Sequence, residues 1–434
     1  MNRTSIAFDT QLHVLLAQDG PCTVNDLRRF TGKSQASLSM ALTRLGVAVC
    51  KMGAARATRY ALTQAVLGLD ARQALHLSGP HADQGLFGEL VFLHGNHVHV
   101  RGPRKSEWDC RDALPWWLST LRPQGFLGRQ YARLRPDFAP DPDHWTLAQT
   151  LYTAANHFHN PPGAFSMGSA SGVPAIAIPR ARRGSAFDKL AEASALGLPA
   201  GSSAGGEQPK FVCQVEDVQV VVKFTPTRGT PFGERWHELL HLEHLANTLL
   251  REKGIACAQT EVVTTRKRSY LQSSRFDRIG AAGKRHVVAA AALHDAFVKS
   301  PRRHWVATSE DLAAQKMLAP EHVRTIASSY LFGHYIGNTD MHFGNLSFFV
   351  DDVTRPVLLP TPVYDMLPML WRPGVHGGEL DPAQIQPQRQ PVGFDTQAGE
   401  ARAWAIEYWE RAAAWQALGS TLRAAATRSA KALR

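Results

Sequence analysis

Apolar residues recur at three- and four-residue spacing through three short stretches near the start of the chain, "DTQLHVLLAQDG", "TVNDLRRFTG" and "KSQASLSMALTRLG". Each stretch ends on glycine. The second opens on Thr23 and Ser34 precedes the core of the third, so the pattern predicts three capped helices in close succession. The next stretch, "VAVCKMGAARATRYALT", alternates on either side of a basic, glycine-containing tip and predicts a hairpin. Three helices followed by a hairpin is the order of a winged helix-turn-helix, here over residues 1–70. Leu38, Leu42 and Leu45 share the core face of the third helix, while Ser37, Met40 and Arg44 face away. On duplex DNA, Gln35, Ser37 and Arg44 are expected nearest the bases, and Arg56 and Arg59 of the wing near phosphate or the minor groove.

Residues 71–185 are patterned less regularly. "GELVFLHGNHVHVRG" reads as a hairpin, a Trp- and Pro-rich stretch follows, and "LAQTLYTAANHF" reads as a helix. His97 and His99 alternate onto one face of a strand with no third ligand type nearby, so they are read as solvated side chains. "SMGSASGVPAIAIPRARRGS" has the composition of a flexible connection.

From residue 186 the pattern sharpens. "GSSAGGEQPKFVCQVEDVQVVVKF" predicts a glycine- and serine-rich loop and two strands about an acidic turn. "ERWHELLHLEHLANTLLREKG" predicts a long helix with leucines at 239, 242, 245 and 249 and an end at Gly254. "EVVTTRKRSYLQSSRFDR" predicts a further pair of strands. "IASSYLFGHYIG" closes a buried helix, "LSFFVDDVTRPVLLP" is a hairpin, and the end of the chain is helical and basic. The expected architecture is α+β, divided as 1–70, 71–185, 186–420 and a basic tail at 421–434, with no internal repeat.

The chain has 434 residues, enough for two or three domains, and its 44% apolar and 20% charged residues are globular values. The net charge of +11 favours an acidic partner such as nucleic acid, a nucleotide or tRNA-bearing machinery, and residues 1–70 alone hold eight Lys/Arg against four Asp. Five scattered cysteines, none in a CxxC, argue against a disulfide framework and a cysteine zinc site and for a reducing cytoplasm. No stretch is long and apolar enough to span a bilayer, and the first residues lack the features of a signal peptide, so no membrane partner is expected.

Two constellations carry chemistry. In "HYIGNTDMHFGNLSFF" a polar loop lies between two apolar elements. Asp340 is followed five residues later by Asn345, then by a hairpin, then by Asp365 in "VYDMLP". Protein kinases use this order for a catalytic loop and a second metal carboxylate, with Asp340 as base and Asn345 and Asp365 as magnesium ligands. Upstream, Ser202, Ser203, Gly205 and Gly206 in "GSSAGGEQPK" offer a phosphate-covering loop, and Lys223 ends an apolar strand. Glu238 or Glu243 of the following helix would pair with Lys223. The competing constellation is "HELLH", His237 to His241, which fits the zincin pattern with Glu238 as base. The extended form would want Gly at 244 and His at 247, where this chain has His244 and Asn247.

The segments "GNTDMHFGNLSFF", "VYDMLP", "SSAGGEQPKF", "VVKF" and "SRFDR" resemble those of the HipA-like serine/threonine kinases, the toxins of bacterial toxin–antitoxin modules. The resemblance covers roughly residues 80–420. It implies a two-lobed, protein-kinase-like HipA fold using ATP and Mg2+, with Asp340 catalytic, Asn345 and Asp365 on magnesium, and Lys223 on the nucleotide. It also implies autophosphorylation at Ser202 or Ser203, which switches such kinases off. Its known targets are translation proteins, especially aminoacyl-tRNA synthetases. Usual members pair with a separate helix-turn-helix antitoxin, which stays open as a partner here; a module of DNA-binding pattern also precedes this kinase, so duplex DNA, a homodimer and self-contained regulation are further expectations. The alternatives are a DNA-binding regulator with a non-catalytic kinase-like body and a zinc hydrolase.

Overall fold

A computed structural model describes residues 3–158, 160–168, 177–195, 208–373 and 395–434. Two compact units emerge, one formed by 1–79, 83–124 and 131–173, the other by 80–82, 125–130 and 174–434.

The first unit begins with α1 (Arg3–Asp19), β1 (Cys22–Thr23), α2 (Val24–Thr31), α3 (Gln35–Leu45), β2 (Val49–Met52) and β3 (Arg59–Leu62). The expected caps form. Thr23 and Asp26 make a reciprocal capping box, Ser34 accepts from the Ser37 amide, and Gly32 ends α2 in the left-handed region. Leu12, Leu16, Leu27, Leu38 and Leu42 fill the core between the helices. A short strand not legible in the pattern, β1, pairs with β3 and gives a sheet of order β1-β3-β2.

The chain continues through β4 (Arg72–Ser78), β5 (Gln84–Leu93), β6 (His97–Arg101), β7 (Glu107–Arg111), α5 (Leu147–Asn156) and β8 (Phe165–Met167) of the same unit, while α4 (Gly125–Ala132) belongs mostly to the second. The sheet order is β7-β6-β5-β4-β8. The hairpin of β2 and β3 is not a free wing. Cys50, Met52 and Ala61 share one buried cluster with Val91 and Leu93 of β5, and the amides of Gln64 and His94 bond to the carbonyls of Phe92 and Leu62. His99 corrects the reading as a solvated side chain. It is fully buried, with Nδ1 2.5 Å from Asp109, because β6 is an interior strand flanked by β5 and β7.

The second unit comprises β9 (Ala177–Ile178), α6 (Arg183–Ala195), β10 (Lys210–Val215), β11 (Val218–Phe224), α7 (Pro231–Glu252), β12 (Thr260–Thr264), β13 (Ser269–Ser274), β14 (Arg278–Ile279), β15 (Gly283–Lys284), β16 (Val287–Ala289), α8 (Ala290–Phe297), α9 (Trp305–Ala314), α10 (Pro320–Ile336), β17 (Ser347–Val350), β18 (Leu358–Pro360), α11 (Asp395–Ala414) and α12 (Ser420–Leu433). Its main sheet runs β12-β13-β11-β10-β9, and a smaller one β16-β17-β18. Phe187 and Ala191 of α6 pack on one face of the main sheet against Phe211, Cys213, Val220, Val222 and Phe224. The stretch expected as a connection thus carries β8, β9 and the start of α6. The segment expected as a basic tail is α12, whose Leu422, Ala425, Ala426, Ala430 and Leu433 are buried. It packs on α11, which in turn meets α7 and α10. No helix among the described residues is long and apolar enough to cross a membrane.

Candidate active site

Strand alternation places Lys223. Phe211 and Val222 face α6, so Lys210 and Lys223, direct cross-strand partners in the β10–β11 register, both project from the opposite face. Two facing ammonium groups repel, and two carboxylates answer them. The Lys223 Nζ lies 2.6 Å from both Glu243 carboxylate oxygens and 2.7 Å from Asp365 Oδ1. The open choice between Glu238 and Glu243 is therefore decided for Glu243. Lys223 and Glu243 are buried, whereas the Asp365 side chain retains 28% exposure. Burial opposes the Lys223 charge, but Asp365 and Glu243 outweigh it and raise the ammonium above the ordinary lysine range. Burial likewise opposes the Asp365 carboxylate, yet the charges of Lys223 and Lys210 hold it down at about 2. Glu243, more deeply enclosed and beside a second carboxylate, is shifted upward by burial and Asp365 against the pull of Lys223.

The loop that follows α10 is built by close packing. Gly337 caps α10 with φ of 80° and lies where a Cβ would come within 3.0 Å of Leu370. A Cβ on Gly333 would fall 2.4 Å from the sulfur of Met341 and 3.1 Å from that of Met366, so its bare backbone lets both loops approach α10. Asn338, buried, binds them together: its Oδ1 accepts the Asp340 amide at 3.1 Å and its Nδ2 donates to the Asp365 carbonyl at 3.2 Å. The Asn345 Nδ2 donates to the Asp340 carbonyl at 2.8 Å. The Tyr364 hydroxyl donates to the Gly344 carbonyl at 2.7 Å and lies 2.8 Å from Ser347 Oγ. Asp365 sits at φ of 55°, a conformation uncommon outside glycine.

These bonds leave two groups uncommitted. The Asp340 carboxylate is on an exposed residue, and neither it nor the Asn345 Oδ1 bonds to a described residue. Asp340 and Asp365 are thus tied through Asn338, Asn345 to Asp340, and Asp365 to Lys223 directly. Ser202, Ser203, Gly205 and Gly206 lie outside the described residues. Lys210, the lysine that follows the glycine-rich loop, stands outside the expected site; its cross-strand register with Lys223 places it beside the site.

Residues 202–432, more than half of the chain, match the family described as the HipA-like C-terminal domain. Residues 70–173 match the middle domain of YjjJ-like toxins. A curated protein named Toxin YjjJ, of Escherichia coli (strain K12), is 32% identical over 425 residues, spanning 93% of each chain. The chain belongs to the HipA-like family. Two solved structures align with this HipA-like chain. One is a chain of the Shewanella oneidensis MR-1 toxin–antitoxin complex of HipA, HipB and operator DNA, at TM-score 0.49 and 16% identity over 83% of this chain and 95% of that one. The other is the Helicobacter pylori proinflammatory kinase CtkA, at TM-score 0.39 and 12% identity over 52% and 88%.

The zinc reading of "HELLH" is corrected by this geometry. Among the described residues no group of three His, Cys, Asp or Glu could hold a metal. His237 is hydrogen-bonded to Ser269 Oγ at 2.6 Å, and His241 is enclosed between the His237 ring and Trp415. Both carboxylate oxygens of Glu238 are occupied, one by the Trp371 indole N–H at 3.0 Å and the other by the Gly419 amide at 2.9 Å.

The expected DNA-contacting residues lie in the first unit, in unequal situations. Gln35 and Arg56 are exposed and bond to no described residue. The Ser37 hydroxyl lies 3.0 Å from that of Ser34. Arg44 is held by both oxygens of Asp9, at 2.6 and 2.8 Å. Arg59 pairs with Asp109 at 2.5 Å, on the oxygen that His99 leaves free.

Proposed function

We propose that this chain is an ATP- and Mg2+-dependent protein serine/threonine kinase of the HipA toxin type, acting on itself and on a protein of the translation machinery such as an aminoacyl-tRNA synthetase. The observation that carries this reading is the buried bridge of Lys223 to Glu243 and Asp365. It keeps one cation ready for nucleotide phosphates and one carboxylate ionised beside it.

The residues fit a magnesium nucleotide. Asn345 Oδ1 and the ionised Asp365 are hard oxygen donors, the type magnesium takes, and would hold the ion. Bound magnesium would neutralise charge on the phosphates during transfer. Lys223, and Lys210 beside it, supply further positive charge. The Asp340 carboxylate, uncommitted on an exposed loop, orients the attacking hydroxyl and accepts its proton. Phosphate on Ser202 or Ser203 would add about −1.5 to −2 charge next to the nucleotide and so inhibit. The five free cysteines suit a reducing cytoplasm.

Residues 1–70 are read as a winged helix-turn-helix that binds duplex DNA, supported by the three capped helices, the β2–β3 hairpin and the basic balance of the segment. A kinase carrying its own operator-binding module would need no separate antitoxin for repression.

Incubation with labelled ATP and Mg2+ tests the kinase reading. Label should appear on the protein or an added translation protein, and Asp340→Asn should reduce it by roughly two to four orders of magnitude. Asp365→Ala should do similar damage. Label undiminished in both variants would sink the reading.

A further inference from the structure

The "HELLH" motif builds no metal site among the described residues, yet both carboxylate oxygens of its glutamate are engaged. Glu238 accepts from Trp371 with one oxygen and from Gly419 with the other. Trp371 is 1% exposed, and Arg235, one turn before Glu238, stacks 4.0 Å from its ring and donates to its carbonyl. Trp371 ends the segment that begins with Asp365. That segment is tied at its start by Asn338 to the Asp365 carbonyl, and near its end by the Leu370 amide to the Gly337 carbonyl at 3.0 Å. Glu243, five residues beyond Glu238, lies about 7.5 Å further along the same helix. The helix therefore grips the segment twice, at Trp371 through Glu238 and at Asp365 through Lys223 and Glu243.

We propose that Glu238 is a positioning residue: its bond to Trp371 sets the segment 365–371 against α7 so that the Asp365 carboxylate is presented to Lys223 and to magnesium. The role rests on the kinase reading. Glu238 touches no reacting atom and acts through Trp371. Without the clasp, α7 and the segment can slide past one another, and Asp365, already in an uncommon backbone conformation, loses its alignment.

Glu238→Leu removes both acceptors, and Trp371→Phe removes the indole N–H while keeping a ring for Arg235. Each should raise the Mg2+ concentration for half-maximal ATP labelling by about tenfold, as loss of a group supporting a metal ligand does. The ATP KM at saturating Mg2+ should change little. The double variant should be no worse than the worse single one, since both break the same link. Hydrogen exchange, which needs no activity, should quicken at the amides of 366–371 in both variants. Variants that melt earlier but keep the wild-type Mg2+ requirement and exchange would overturn the proposal. Wild-type protein that transfers no phosphate at any Mg2+ concentration would overturn the kinase reading instead, and unchanged exchange at 366–371 would then remove the clasp as well.

Discussion

Lys223 is an ammonium taken almost wholly out of water, and only the two carboxylates make that tolerable. Replacing it with Met should leave Glu243 and Asp365 facing each other without their cation. At neutral pH the loss should be about 3–5 kcal/mol, the usual cost of orphaning a buried charge. The sign of its pH dependence follows. With the Lys223 cation gone, burial and the facing carboxylate hold the Glu243 carboxyl still further above its unfolded value, so the folded variant binds more protons and regains stability as the pH falls through the raised value. Urea melts of Lys223→Met and wild type should converge from pH 8 towards pH 5; a constant gap would contradict the charge argument. The grouping of Lys223, Asp340, Asn345 and Asp365 in space was legible from their order along the chain. The choice of Glu243 over Glu238 was not, since the two lie on one helix and only its rotation against the sheet separates them. The place of Lys210 opposite Lys223 was not legible for a similar reason, because register is a property of two strands and not of either sequence.

At the scale of elements, α7 shows how one helix serves two neighbours. One side reaches Lys223, and the other presents His237, His241 and His244, with Trp415 against His241 and His244. Both ring nitrogens of His241 are buried without a hydrogen-bond partner among the described residues. Burial, reinforced by the charges of His237, His244 and Arg228, pushes its pKa down to about 4. The unfolded chain takes up this proton near pH 6.5 while the folded chain refuses it until about 4, so stability should fall as the pH falls through that window. The full effect of one such proton is about 3 kcal/mol. His241→Phe keeps a ring against Trp415 and removes the titrating group, so its melting temperature should lose much of the decline between pH 6.5 and 4. An identical decline in the variant would place the acid sensitivity elsewhere. The helix itself was plain in its leucines, but its histidines matched a metal motif whose test is three-dimensional. α6 was missed for a compositional reason: its first turn lies in an arginine-, glycine- and serine-rich stretch that reads as a connection.

For the whole molecule, the decisive point is that residues 1–70 do not close their own core. Cys50, Met52 and Ala61 are buried against Val91 and Leu93, and Gly53 and Arg59 are held by Glu107 and Asp109 of β7. The sequence pattern showed the three helices and the hairpin but not this attachment, because apolar positions on a hairpin do not say which surface will cover them. Cut out alone, the segment would expose those three residues, so the proposed duplex DNA binding is to be tested on the full chain. The attachment also ranks the wing arginines. Arg56 bonds to no described residue, whereas Arg59 is already neutralised by Asp109. Each phosphate contact releases counterions, so Arg56→Ala should flatten the log–log salt dependence of binding by about one unit on every DNA sequence. Arg59→Ala should flatten it by less. Gln35→Ala should instead change the preferred sequence, at roughly 1–3 kcal/mol for a good base contact. One such module covers a small interface, so tight binding should need two copies of the chain on a palindrome. Fluorescence anisotropy of the full chain on upstream-operon and random duplexes, across a salt series, measures all three effects. Equal slopes for Arg56→Ala and wild type would remove the wing from the interface, and no binding at low salt would make the module a protein-docking element.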